Sequence, residues 1–164
     1  MTERFRERLT RLLGRRPATM QIGALCLDGA GRVLLITSRG TGRWIIPKGW
    51  PMAGRSLSEA ALQEAWEEAG VEGAVEPEPM GRYFYDKMHD SGFGVPVVVH
   101  VFRVSVSNLA EDFPEQGERR RAWFAPEDAA KLVAEDGLRE LLSALPKPEA
   151  GGAVPQRALG ADGN

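Results

Sequence analysis

Between Ser56 and Gly70 the chain reads SLSEAALQEAWEEAG, and no other stretch restricts its fold so tightly. Ser56 and Glu59 have the S-x-x-E spacing of a capping box, which predicts a helix beginning at Leu57. Leu57, Ala61, Leu62, Ala65 and Ala69 recur at three- and four-residue steps and form one apolar face. Gly70 can take the left-handed conformation that ends a helix. A face made mostly of alanine has no long side chains to hold a neighbour away, so this helix is expected close against a sheet.

The same helix carries Glu64, Glu67 and Glu68 late in its course. At this spacing the three carboxylates fall within about a quarter to a third of the helix circumference. Like charges so placed cost roughly 0.2–0.5 kcal/mol per pair. Acids near a helix C-terminus also oppose the macrodipole, at roughly 0.3–1 kcal/mol each when exposed. A hard divalent cation, magnesium or manganese, would reverse both penalties by taking the carboxylate oxygens. On spacing alone, a solvated acidic face explains the cluster equally well.

The wider register decides between them. The segment from Gly49 to Val71 resembles the Nudix box, G-x5-E-x7-R-E-U-x-E-E-x-G-U with U aliphatic. Gly49, Glu64, Glu67, Glu68, Gly70 and Val71 match, and Ala65 fills the first U position. Arg55 stands where the family has glutamate, and Gln63 where it has arginine. The resemblance implies a hydrolase of phosphorus-containing acid anhydrides, with Glu64, Glu67 and Glu68 binding the catalytic Mg2+ or Mn2+. It also implies a backbone carbonyl, that of Lys48, as a further metal ligand. The two departing positions brace the loop against the helix in the family. Changed together, they read as a replaced contact, and Arg55 could pair with Glu59 four residues on. It follows that Arg55→Ala should cost stability more than metal binding.

Length and charge narrow the rest. The 164 residues suffice for one domain with a core, and a net charge of -2 implies no bulk attraction to nucleic acid or membrane. The lone Cys26 lies in an apolar run, which excludes a disulfide framework and suggests a small buried hydrophobe. No apolar run is long enough to span a membrane, so a cytoplasmic location is the expectation. Residues 1–17 are rich in arginine, with Phe5, Leu9, Leu12 and Leu13 near one helical face. They read as a basic amphipathic helix that packs on its own domain rather than on an anionic surface. The domain proper is expected over 18–146. Residues 147–164 are rich in Gly, Ala and Pro, and read as a disordered tail.

Strands are predicted at Met20–Leu27, Arg32–Ser38, Met80–Lys87, Val95–Val106 and Arg121–Phe124, with a short apolar run at Trp44–Ile46. Helices are predicted from Pro126 to about Val133 and over Gly137–Leu145. The pattern indicates an α+β chain with a mixed sheet between helical layers. The Nudix fold, an α/β/α sandwich with a mixed central sheet, agrees with it.

Hydrolysis of a pyrophosphate needs a group to accept the water proton. In the family this is sometimes a box glutamate and sometimes a carboxylate on a later loop, where Glu115 and Glu118 are the candidates. Arg39, Arg43, Lys48, Arg119 and Arg121 flank these segments and are candidate phosphate ligands, though any one could be an ordinary surface charge. The order RW-x-x-P before the box and RRR-x-WF after it resembles the diphosphoinositol polyphosphate and diadenosine polyphosphate hydrolase branch. The expected substrate is therefore a small-molecule polyphosphate or nucleotide. Nucleoside triphosphate or RNA 5′-end hydrolysis, and a silent nucleotide-binding sensor, are the competing readings. Trp50, Tyr83 and Tyr85 could stack on a base or ring, or simply pack. His89 and His100 have no ligand-like spacing. Nothing in the chain indicates its oligomeric state.

Overall fold

The computed structural model describes residues 18–88 and 92–148; the expectations for 1–17 and for 149–164, and any role of His89, lie outside them. The strands are β1 (Thr19–Leu27), β2 (Val33–Thr37), β3 (Trp44–Ile45), β4 (Lys48–Gly49), β5 (Val71–Val75), β6 (Gly81–Met88), β7 (Gly94–Leu109) and β8 (Arg121–Phe124). The helices are α1 (Leu57–Ala69), α2 (Pro126–Leu132) and α3 (Asp136–Ser143).

β1 lies at the centre of one mixed sheet. It pairs in parallel with β7, from Thr19 against Val97 to Leu27 against Ser105, and antiparallel with β2 and β4. The path runs β3-β2-β1-β7-β5, with β8 on β2 and β6 on β7. Alternation along β1 sends Ile22, Ala24 and Cys26 to one face and Leu25 and Leu27 to the other. The first face packs on Ala60, Ala61, Ala65 and Ala69 of α1. The second packs on Ala129, Ala130 and Val133 and on Leu138 and Leu142, from α2 to α3. The α+β sandwich expected from the sequence is thus present, and the alanine face of α1 is what lets it approach the sheet.

The capping box at α1 forms as read: Glu59 N–H donates to Ser56 Oγ at 3.2 Å, and Ser56 N–H to Glu59 Oε2 at 3.1 Å. Gly70 ends the helix at φ 67°. Cys26 is fully buried, and burial pushes its thiol up to about 12. Two strands were not anticipated, β4 and β5. β4 is only two residues long, and β5 contains Gly73 and Ala74, which carry little β preference. Among the described residues no helix is long and apolar enough to cross a membrane.

Candidate active site

The C-terminal half of α1 meets β4, and this crossing builds the site. Lys48 N–H donates to Glu68 Oε2 at 3.3 Å. A Cβ at position 49 would overlap the Glu64 carboxylate, so a larger residue there would displace that carboxylate from the strand. Glu67 accepts from Gln63 Nε2 at 3.0 Å. Its backbone carbonyl accepts from Glu115 N–H at 3.0 Å, which ties the connection after β7 to the helix end.

That connection supplies the cations. Arg119 is buried, with Nη2 3.5 Å from Glu68 Oε1 and 3.4 Å from Glu115 Oε1, while Nη1 donates to the Thr37 carbonyl at 3.1 Å. Thr37 holds the neighbouring backbone as well, through Arg120 N–H to its Oγ1 at 2.9 Å. Arg39, more exposed, bridges Glu115 at 3.3 Å and Glu118 at 3.5 Å. Arg121 donates to the Ala69 carbonyl at 2.7 Å and lies over the Phe113 ring. It thereby supplies the positive charge that the last turn of α1 lacks. Arg43 pairs with Glu135, at 3.7 Å, rather than with the glutamates of α1. Lys48 sets its ammonium over the Tyr85 ring at 5.5 Å, and Tyr85 Oη donates to Gln21 Oε1 at 2.6 Å.

Of the candidate residues, Glu64, Glu67, Glu68, Glu115, Arg119, Arg39 and Lys48 therefore meet at one crossing. The Glu118 side chain joins through Arg39, Arg121 is taken up by the helix end, and Arg43 belongs to a neighbouring pair. Tyr83 is only 2% exposed and packs in the core, so it offers no face for stacking. Trp50 is exposed, beneath Lys87 at 5.1 Å. Arg55 does not pair with Glu59, whose carboxylate is taken by Ser56 N–H. Its Nη1 donates instead to Gln63 Oε1 at 3.3 Å, so the two departures from the box contact each other with donor and acceptor exchanged.

The electrostatics are those of an acidic cluster short of positive charge. Burial, then the charges of Glu68, Glu67 and Glu115, push the Glu64 carboxyl up to about 7. Burial also pushes Glu68 up to about 7, against the pull of Arg119 and of the Lys48 N–H. Burial lowers Lys48, partly offset by Glu68 and Glu135. A hard divalent cation suits this donor set: carboxylates beside a backbone strand, of which Glu64 and Glu68 are held back from ionising by burial first and then by neighbouring carboxylates. Among the described residues no three acidic, histidine or cysteine side chains are already gathered to hold an ion. Arg119 sits between Glu68 and Glu115 in that role.

Sequence reasoning missed Gln21, Thr37 and Glu135. Each sits outside the box and looks like an ordinary strand or loop residue; their positions follow only from pairing between distant segments.

The model of the NUDIX domain matches residues 17–145. The chain is 35% identical over 123 residues to "Nudix hydrolase 21, chloroplastic" of Arabidopsis thaliana, covering 71% of this chain and 58% of that protein. It is 29% identical over 140 residues to diphosphoinositol polyphosphate phosphohydrolase 2 of Mus musculus, covering 79% and 71% respectively. The chain spans little more than half the length of the plant relatives. Among solved structures, the C. elegans Ap4A hydrolase superposes with a TM-score of 0.59 at 23% identity, over 77% of this chain and 94% of that one. At that identity the likeness speaks to the fold.

Proposed function

The chain belongs to the NUDIX domain family, and from that premise we propose that it is a Mg2+- or Mn2+-dependent pyrophosphohydrolase acting on a polyphosphorylated small molecule. The substrate is of diphosphoinositol polyphosphate or dinucleoside polyphosphate type, as the names of the relatives suggest. The observation that carries this reading is the crossing of β4 over α1, where Glu64 and Glu68 are pressed against backbone and the buried Arg119 guanidinium lies 3.5 Å from Glu68.

Glu64, Glu67 and Glu68, with the Lys48 carbonyl, would hold the cation. Bound there, it would offset phosphate charge and lower the pKa of a coordinated water. The chain's own residues divide the remaining work. Arg39 is exposed and shared between two carboxylates, so it can turn to a phosphate at small cost. Arg119 can follow once the cation takes over its role beside Glu68. Glu115 is the better-placed proton acceptor, at 19% side-chain exposure and tied to the helix end, whereas Glu118 is 46% exposed and further out. The Arg55–Gln63 contact keeps loop and helix joined, which favours a working box over a silent sensor.

Phosphate release with Mg2+ or Mn2+ should be followed on nucleoside triphosphates, dinucleoside polyphosphates, diphosphoinositol phosphates and 5′-triphosphate RNA, with Glu68→Gln as control. Turnover undiminished in Glu68→Gln would refute the metal reading. No turnover on any of them, with ligand binding retained, would leave a binding module.

A further inference from the structure

α1 presents a second stripe, away from the carboxylates that meet β4. Glu59, Leu62, Gln63 and Trp66 stand at three- and four-residue steps and so share one side of the helix. That side turns towards β5, and between the two lies a cavity of about 410 Å3. Its apolar wall is made by Leu62, Trp66 and Val71, and Gly73 adds no side chain to fill it. Arg55 stands over it from the loop before the helix. The hydrolytic reading gives this cavity no part.

Arg55 is exposed, and among the described residues its guanidinium makes one hydrogen bond and no ion pair. The bond is from Nη1 to Gln63 Oε1, at 3.3 Å. Nε and Nη2, the edge that grips a carboxylate side-on with two parallel bonds, are left over. The two acids that border the cavity do not take that edge. Glu59 Oε2 accepts from Ser56 N–H at 3.1 Å, and Glu72 Oε2 accepts from Asn108 Nδ2 at 2.9 Å. Each carboxylate is thus served within its own neighbourhood, and the guanidinium is not.

Apolar walls with a single orienting charge are the usual make-up of a small-molecule site, and cavities of roughly 300–1,000 Å3 hold such ligands. About 410 Å3 suits a body of one or two rings, or a branched aliphatic chain. The charge of the ligand follows from the rim. One negative group meets the free edge of Arg55. A second would lie against Glu59 or Glu72, and like charges brought together exclude a partner. A polyphosphate is therefore refused here, and the cavity is no extension of the site at the other side of α1.

We propose that the cavity between α1 and β5 binds a small organic monocarboxylate with an apolar body, its carboxylate on Arg55 and its body on Leu62 and Trp66. The site is separate from the glutamate cluster and stands whether or not the chain hydrolyses a pyrophosphate.

The test is a titration of the full chain followed by 1H–15N NMR in EDTA, with indole-3-acetate, benzoate and isovalerate as probes. Neutral indole-3-acetamide and inorganic pyrophosphate serve as controls. At least one carboxylate should bind saturably and shift the Arg55 side-chain N–H, the Gln63 amide and the Trp66 indole N–H. Indole-3-acetamide should bind about ten- to a hundredfold more weakly than indole-3-acetate, the worth of a hydrogen bond to a charged group. Pyrophosphate should leave these resonances in place. Arg55→Ala, checked for folding by its amide dispersion, should weaken the acid by the same factor and leave the amide as it was. Arg55→Lys, which keeps the charge and loses the two-pronged grip, should fall between them. Trp66→Leu should weaken acid and amide alike. Failure of all three carboxylates to bind, equal affinity for acid and amide, pyrophosphate shifting the same resonances, or affinity unchanged in Arg55→Ala would each overturn the proposal. None of these outcomes depends on turnover, so phosphate release from the substrates named above judges the hydrolase reading separately.

Discussion

The two ends of α1 are built on opposite terms. At the N-terminal end Ser56 and Glu59 satisfy each other, in the open, within a single turn. At the C-terminal end no basic residue lies in the last turn, and apart from Gln63, which donates to Glu67 within the helix, the partners come from elsewhere in the chain: Lys48 from β4, Glu115 and Arg119 from the connection after β7, Arg121 from β8. One end is a local device for holding a helix. The other gathers charge that the helix cannot balance by itself. Stability and chemistry are thereby separated along thirteen residues of one element, and substitutions at the two ends should fail in different ways.

The widest gap should appear with Glu68→Gln. Turnover should fall by about two to three orders of magnitude, in line with the loss of one strong electrostatic contact to the reacting centre. The melting temperature, measured without divalent ions, should hold or rise, because a crowded and buried carboxyl has been removed. A parallel loss of stability would make that end of α1 structural and erase the contrast. Arg119→Ala should act in the opposite sense. It strips Glu68 and Glu115 of a buried counter-ion, at about 3 kcal/mol in a denaturant titration without metal. Saturating Mg2+ should recover part of this, since the cation supplies the missing charge.

A smaller effect follows from the raised carboxyls of Glu64 and Glu68. The folded chain keeps protons there that the unfolded chain releases above its ordinary value of 4.5, until about pH 7. Stability should therefore be fullest near pH 4.5 as far as these groups are concerned, and should decline as pH rises towards 7. Thermal melts in EDTA at pH 5 and pH 8 should show this as a drop of about 5 °C. Millimolar Mg2+ should flatten it, and an unchanged slope with Mg2+ would count against cation binding at this end.

The smallest effects belong to the other end. Ser56→Ala should cost about 1 kcal/mol with kcat/KM unaltered. Arg55→Ala should cost about 0.5 kcal/mol, with Mg2+ affinity by calorimetry kept within a few-fold. A large fall in Mg2+ affinity with an unmoved melting temperature would mean that the Arg55–Gln63–Glu67 chain of hydrogen bonds governs the carboxylate more than the loop.

What could be read beforehand follows the same division. The extent of α1, its cap, its stop at Gly70 and the burial of its alanine face are local matters of spacing, and the sequence announces them. β8 and α2 could be delimited for the same reason, since Pro126 opens the helix and so closes the short strand before it. The glutamates were legible because the box is long and in register. Contacts between segments were not. The pairing of Arg55 could be guessed only along its own helix, so Glu59 was expected where Gln63 is found. Arg121 was grouped with phosphate ligands by its neighbours, whereas folding gives its guanidinium to the Ala69 carbonyl. Glu135 had no local signal at all: its position follows from Trp44 bridging Val133 across the fold.

The parallel pairing of β1 with β7 bears on how this chain comes into being. β1 leaves the ribosome early, yet the strand that completes its inner edge is made only after α1, β5 and β6. Until then Ile22 to Leu27 can be covered only by β2, β4 and the alanine face of α1. Folding then has to close a long loop before its central contact forms, which for such topologies sets a timescale of roughly milliseconds to seconds. During synthesis the open flank of β1 is the part of the molecule most in need of a chaperone, and a truncation anywhere before β7 should leave an aggregating fragment rather than a smaller domain.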